Sequence, residues 1–157
     1  MKNLLGTVAV SFAVIFSAES QQPQATKPPI GIPTDALAFN GKFYRGYLES
    51  VSWRRAKEKC ASLGGQLAIV PDKPTWAFTQ QIAKGLMLWL GATDEKTEGL
   101  WVWVDGAEMK FKAWGPDRPN NGGRKEHYLH TLPDGHWNDI TDTTPLVVGF
   151  ICEWKAK

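Results

Sequence analysis

Residues 114–139 read WGPDRPNNGGRKEHYLHTLPDGHWND, and the predicted helices and strands of the chain lie on either side of them. The first half is rich in Gly, Pro and Asn, which set or tolerate the backbone angles of an irregular loop. Across the whole stretch, side-chain oxygen atoms are offered by Asn120, Asn121, Glu126, Asn138 and Asp139, among others. Oxygen ligands on loops suit a hard cation such as Ca²⁺, although an ordinary polar surface loop has the same composition.

Two helices and several short strands flank this loop. The first helix follows a Ser50 or Ser52 cap and ends at Gly64-Gly65, and the second begins near Asp72 and ends at Gly85. Strands are predicted over 42–48, 67–70, 87–91, 101–104, 127–132 and 149–154, where short apolar runs are bounded by turn residues, and a strand end is predicted over 135–139. Helices early and short strands late predict an α+β fold, with two helices packed on short antiparallel sheets.

The composition is that of one ordinary globular domain. The 157 residues suffice for a single core, and eight Trp residues are many for this length. A net charge of +2 with no Lys/Arg run gives no support to nucleic-acid binding. The sequence has no Gly-x-Ser-x-Gly, His-Glu-x-x-His or phosphate-binding Gly motif, so we do not expect an enzyme.

The N-terminal residues have the features of a secretory signal peptide. Lys2 precedes the apolar run 4–16, and Ala18-Glu19-Ser20 offers a cleavage site, which predicts a signal peptide over 1–20. A Pro- and Gln-rich linker over 21–36 and one domain over 37–157 follow. The mature chain is then expected to be secreted and without a membrane span. Retention of the first segment as an anchor is the alternative.

Cys60 and Cys152 are the two cysteines of the chain. In an oxidising compartment they are most simply paired with each other, which would bring the two ends of the domain together. In a reducing cytosol they would instead be two free, buried thiols.

The ordered motifs of residues 43–154 resemble those of the C-type lectin-like domain. The resemblance rests on the helix 52–60 with its Cys, Leu63-Gly64-Gly65-Gln66-Leu67, Leu88-Trp89-Leu90-Gly91, Trp101-Val102-Trp103, Arg118-Pro119-Asn120, Trp137-Asn138-Asp139 and Phe150-Ile151-Cys152-Glu153. It implies the C-type lectin-like fold with a long irregular loop. It also implies a secreted recognition module that binds a glycan or glycoconjugate.

The family's first calcium and sugar position falls on Arg118, Asn120, Glu126, Asn138 and Asp139. Calcium-dependent members carry Glu-Pro-Asn or Gln-Pro-Asp where this chain has Arg-Pro-Asn. A guanidinium has no acceptor atom and keeps its charge, so Arg118 cannot coordinate Ca²⁺. We therefore expect carbohydrate binding with weakened or lost calcium dependence. Arg118 is predicted either to bridge Glu126 and Asp139 or to bind an anionic sugar group.

The family's second calcium position falls on Asp94, Glu98, Asn121 and Glu126. Four oxygen ligands and several waters would suffice for Ca²⁺, although His127 stands where an acid is often found. The family's additional loop disulfide is missing, and Tyr128 and Asp142 occupy its positions.

Two questions remain open at the level of the sequence. The histidines His127, His130 and His136 lie close together in the sequence, but His127 and His130 would face opposite sides of a strand, which argues against a zinc site built from all three. The alternative to glycan binding is a calcium-independent module that binds a protein ligand. The sequence does not indicate the oligomeric state.

Overall fold

The computed structural model describes residues 27–156. The predicted signal peptide and the first part of the predicted linker therefore lie outside the described residues. Within the described linker residues, Ala36 is buried and Ile32 packs against the same apolar cluster. Within residues 27–156, no helix has the length and apolar character needed to cross a membrane.

Two helices and eight strands form the domain. The helices are α1 (Trp53–Ser62) and α2 (Lys73–Ala83). The strands are β1 (Leu37–Phe39), β2 (Lys42–Tyr47), β3 (Gln66–Leu67), β4 (Leu88–Thr93), β5 (Val102–Trp103), β6 (Tyr128–Thr131), β7 (Trp137–Ile140) and β8 (Gly149–Lys155). The long loop joins β5 to β6 and includes a short 3₁₀ turn at Gly122–Arg124.

Polar caps define both helix starts. The Ser52 side chain accepts a hydrogen bond from the backbone N–H of Arg55, and the Asp72 carboxylate accepts one from Thr75 at 2.8 Å. These bonds satisfy N–H groups that the first helical turn leaves without partners. Ser52 is thus the cap, of the two serines that the sequence offered.

The strands form one sheet with the order β1-β2-β8-β4-β6-β7, while β3 pairs with β8 and β5 pairs with β4. Most pairs are antiparallel, as expected, but β4 and β8 run parallel. This pairing places the last strand in the middle of the sheet, beside β2. The predicted strand over 67–70 is shorter than expected, because only Gln66 and Leu67 pair with β8.

The disulfide between Cys60 and Cys152 confirms the predicted pairing. It joins the buried face of α1 to β8, with the two Cα atoms 5.5 Å apart. On the other side of the sheet, Trp137 of β7 is fully buried, and the rings of Trp103, Phe111 and Trp114 meet it edge-on at 5.6–6.0 Å between centroids. This aromatic cluster fixes both ends of the stretch 114–139, since Trp114 begins the stretch and Trp137 lies just before Asn138 and Asp139.

Candidate functional site in the long loop

The Asp139 carboxylate holds the long loop in place. It is fully buried at the end of β7. It accepts hydrogen bonds from the backbone N–H of Asn120 at 3.0 and 3.1 Å and from that of Asn121 at 2.6 Å. Charge-assisted bonds of this kind are stronger than neutral ones. Asp139 therefore binds the loop backbone directly, where the family resemblance assigns it a metal ligand's role.

Asn138, the neighbouring residue, is oriented by a buried histidine. His130 of β6 is 1% exposed, and burial lowers its pKa to about 4, so the ring is neutral at pH 7. Its Nδ1 donates to the carbonyl oxygen of Thr131 at 2.8 Å, which leaves Nε2 as an acceptor for the Asn138 amide at 3.0 Å. Asn138 Oδ1 is consequently the free end of the amide. It is buried without a hydrogen-bond partner in the described structure.

Arg118 lies on the exposed surface of the loop. Its backbone N–H donates to the carbonyl of Gly115 at 3.1 Å. Over residues 27–156, its guanidinium forms no ion pair, so the predicted bridge between Glu126 and Asp139 is not present in this structure. The acids are engaged elsewhere, which leaves the charge of Arg118 available to solvent or to a ligand.

Glu126 stabilises the turn that precedes it. Its Oε2 accepts from the backbone N–H of Gly122 at 2.8 Å, and its own N–H donates to Asn121 Oδ1 at 3.2 Å. A Cβ atom at position 122 would lie 2.7 Å from that carboxylate oxygen, so a larger residue there would displace the Glu126 side chain. Asn121 adopts a left-handed conformation with φ 43°, which asparagine tolerates better than most residues.

Of the second predicted calcium set, Asp94, Glu98 and Asn121 lie together, whereas the Glu126 carboxylate does not join them. Asp94 and Glu98 come together with His127, and one ligand atom of each lies within 4.8 Å of the others. Asn121 contacts this group through its amide nitrogen, which donates to Glu98 Oε2. The Glu126 carboxylate lies outside the group, beside Gly122.

Arg54 links the two positions where the family's additional disulfide is absent. Its backbone N–H and its Nη1 bind the two oxygens of Asp142 at 3.0 and 3.1 Å, and its Cζ lies 5.4 Å from the centroid of the Tyr128 ring. The Trp53 ring also packs on Tyr128, at 5.1 Å between centroids. A non-covalent bridge thus connects α1, β6 and the segment after β7.

The order of elements, the Cys60–Cys152 bond and the long loop are the features expected of the C-type lectin-like fold. A family model described as the lectin C-type domain matches residues 49–154. The chain belongs to the C-type lectin domain family. A domain of this family fits a carbohydrate-recognition module, and C-type lectin domains commonly bind Ca²⁺.

Relatives of this C-type lectin domain include the hepatic lectin of Gallus gallus, which is 33% identical over 117 residues, or 73% of this chain and 56% of that protein. The low affinity immunoglobulin epsilon Fc receptor of Mus musculus is 33% identical over 124 residues, covering 79% of this chain and 37% of the receptor. The chain therefore spans between about a third and about half of the length of these two relatives.

Solved structures agree with the fold. The mouse scavenger receptor C-type lectin carbohydrate-recognition domain superposes with a TM-score of 0.74 at 26% identity, covering 80% of this chain and 97% of that one. The carbohydrate-recognition domain of cow CD23, solved in the presence of a GlcNAc2Man3 oligosaccharide, gives 0.75 at 26% identity, covering 80% and 96%.

Sequence reasoning missed the parts played by His130 and Arg54. At the level of the sequence, His130 is weighed only as a zinc ligand, but its position after Tyr128 and Leu129 on a short strand is a signal of burial. Arg54 is a charged residue of α1 whose partners the sequence does not indicate. Its contact with Asp142 spans 88 residues of sequence, and no local pattern could have indicated it.

Proposed function

We propose that this C-type lectin domain binds carbohydrate through the loop between Arg118 and Asp139, without a calcium ion in the loop. The observation that carries the proposal is the buried Asp139 carboxylate, whose oxygens already accept N–H groups from Asn120 and Asn121. The loop backbone is therefore held by the protein itself. A bound metal is not needed to give the loop its shape.

The residues of the first calcium position do not fit Ca²⁺. Arg118 supplies a positive charge in place of an oxygen ligand, and the oxygens of Asp139 are occupied by backbone N–H groups. Asn138 Oδ1 is unpartnered, but one amide oxygen falls well short of the six to eight oxygens that Ca²⁺ takes. Calcium dependence of binding at this loop is thus weakened or lost.

In this proposal the candidate residues divide into two groups by exposure. Arg118 and Asn120 are exposed and Glu126 is half-buried, so these side chains contact the sugar hydroxyls and any acidic group. Asn138 and Asp139 are buried, Asp139 holds the loop backbone, and the Asn138 amide binds His130 beside it. The division assigns direct contact to three of the five predicted ligand-binding residues and a supporting role to two.

The charge of the loop favours an anionic glycan. Arg118, Arg124 and Lys125 are all exposed, and within the described part of the chain none of them is in an ion pair. A guanidinium matches the geometry of a carboxylate or sulfate group and can bind either through two parallel hydrogen bonds. Sialylated or sulfated sugars are therefore the expected ligand class.

A glycan array containing neutral, sialylated and sulfated sugars tests the proposal. We expect saturable binding in EDTA, with a loss of about tenfold or more for anionic glycans in Arg118→Gln, since one charge-assisted contact contributes about 1.5–3 kcal/mol. Arg55→Gln, which changes an exposed arginine of α1, is the matched control and should bind as the wild type does. Binding that disappears in EDTA and returns only on addition of CaCl₂ would contradict the proposal.

Protein recognition on the same fold is the second candidate function, because one relative is by name a receptor for the immunoglobulin epsilon Fc region. It predicts that a protein partner binds the Arg118→Gln and Glu126→Gln variants with unchanged affinity. An absence of any glycan binding, together with such partner binding, would favour this candidate.

We further propose that the domain acts outside the cytosol. The disulfide between Cys60 and Cys152 supports an oxidising compartment, since such bonds are rarely stable where glutathione keeps thiols reduced. Expression of the full chain in a secreting host, followed by N-terminal sequencing of the medium, should give Gln21 as the first residue. A product retained in the membrane fraction with Met1 intact would contradict cleavage after Ser20, and a product found only in the cytosol would contradict the placement.

A further inference from the structure

A compact group of side chains that can bind a metal lies beside the long loop and consists of Asp94, Glu98 and His127. Asp94 follows β4 directly and His127 precedes β6 directly, and the Asp94 N–H donates to the His127 carbonyl at 3.3 Å. The His127 N–H in turn donates to the carbonyl of Ile140 at 3.1 Å. Two members of the group are therefore carried by adjacent, hydrogen-bonded strands.

The donor atoms of this group are aimed at one another. Asp94 is 2% exposed, and its Oδ2 accepts the N–H of Gly99 at 2.8 Å, which leaves Oδ1 towards the group. The His127 Nδ1 lies 3.0 Å from Asp94 Oδ1 and 3.6 Å from Glu98 Oε2. Donor atoms around one four-coordinate ion with bonds of about 2.0–2.1 Å are about 3.3 Å apart, so both spacings are close to those of a metal site.

The donor set does not suit calcium. Ca²⁺ takes six to eight oxygen ligands, whereas this group offers two carboxylates and an imidazole nitrogen. Two further predicted oxygens are engaged elsewhere: Asn121 Oδ1 accepts from Glu126, and Glu126 Oε2 accepts from Gly122. An imidazole with carboxylates and an open position is instead a set that Zn²⁺ binds in tetrahedral geometry.

We propose that Asp94 Oδ1, Glu98 Oε2 and His127 Nδ1 bind one Zn²⁺ ion, with water as the fourth ligand. The two carboxylates balance the charge of the ion. Asn121 donates to Glu98 Oε2 and supports that carboxylate from outside the coordination sphere. The ion cross-links the 94–99 turn to the end of the long loop, and this role does not depend on which ligand the loop binds.

Isothermal titration calorimetry of the metal-stripped protein with ZnCl₂ and, separately, with CaCl₂ tests the proposal without any glycan. We expect one equivalent of Zn²⁺ to bind and to raise the melting temperature, since an ion that binds only the native state stabilises it. His127→Gln should weaken Zn²⁺ binding by on the order of 100-fold or more, because loss of a supporting residue alone costs about 10–100-fold. His127→Asp, which restores an oxygen ligand, should lose Zn²⁺ affinity and gain Ca²⁺ affinity.

His136→Gln provides the matched control, since His136 Nδ1 lies 3.2 Å from a single carboxylate, that of Asp134. It should bind Zn²⁺ as the wild type does. If His127→Gln does not fold, as judged by its melting in EDTA, Glu98→Gln at an exposed position replaces it. Equal losses in the His127 and His136 variants, no Zn²⁺ binding by the wild type, or tighter binding of Ca²⁺ than of Zn²⁺ would each overturn the proposal.

Discussion

Replacing Asp139 by asparagine should destabilise the domain more than any other conservative change in the loop. The carboxylate is fully buried and binds the backbone N–H groups of Asn120 and Asn121. An asparagine can still accept one of these bonds, so about one charge-assisted bond is lost and one buried donor is left unpaired. With about 1.5–3 kcal/mol for a bond to a charged group, we expect a loss of about 3 kcal/mol in the free energy of unfolding. For a domain of this size that loss corresponds to a fall of about 10 °C in melting temperature.

Asp134→Asn is the matched control for Asp139→Asn. Its carboxylate also accepts one backbone N–H, from His136 at 3.0 Å, but its side chain is 60% exposed and water can replace the contact. We expect a loss below about 0.5 kcal/mol. Thermal melts give both free energies, and hydrogen exchange should show faster exchange of the Asn120 and Asn121 amides in Asp139→Asn alone. If the two variants melt together, or if those amides keep their protection, Asp139 does not hold the loop.

Three further predictions concern the contribution of Arg54, His130 and Glu153 to the stability of the domain. Arg54→Ala should lower the free energy of unfolding by about 1 kcal/mol, and by less in 1 M NaCl, because it removes the ion pair with Asp142 and the contact with the Tyr128 ring. Arg55→Ala should have a smaller effect in the same thermal melts. The free energy of unfolding of the wild type should fall by about 3 kcal/mol between pH 6.5 and pH 4, because burial lowers the pKa of His130 to about 4 while His130 of the unfolded chain is protonated at a higher pH. Urea melts should show a weaker pH dependence in His130→Gln. Glu153→Ala should cost about 3 kcal/mol in a chemical melt, since this buried carboxylate binds Lys42 at 2.8 Å and the N–H of Ile69 at 3.1 Å.

Local patterns predicted the helices because their determinants lie within one or two turns of the chain. Asp72 and Ser52 precede apolar residues at helical spacing, and the caps are formed as expected. The parallel pairing of β4 with β8 depends on where the chain turns between distant elements. No residue of either strand encodes that direction, because side chains alternate in the same way in parallel and antiparallel strands.

The sequence shows which side chains of the long loop carry charge or oxygen atoms, but not which bonds they form. The order Trp137-Asn138-Asp139 placed the carboxylate correctly at the end of a buried strand. Its partners are backbone N–H groups, which every residue except proline carries, so the sequence cannot single them out. Arg118 illustrates the same limit: its charge suggested a partner within the loop, yet both nearby acids bind N–H groups of the backbone instead.

The loop has two supports that respond to different treatments, and this difference separates the proposals. Asp139 acts through hydrogen bonds within the protein, so EDTA should leave the Asn120 and Asn121 amides as protected as before. The group formed by Asp94, Glu98 and His127 does not include Asp139, and a metal there can be removed while Asp139 remains engaged. Sugar binding that survives EDTA together with a Zn²⁺-dependent rise in melting temperature would therefore mean that the metal stabilises the domain and takes no part in contacting the sugar. Sugar binding that requires Zn²⁺ would mean that the metal sets the position of Glu126, because Glu126 directly precedes the ligand His127.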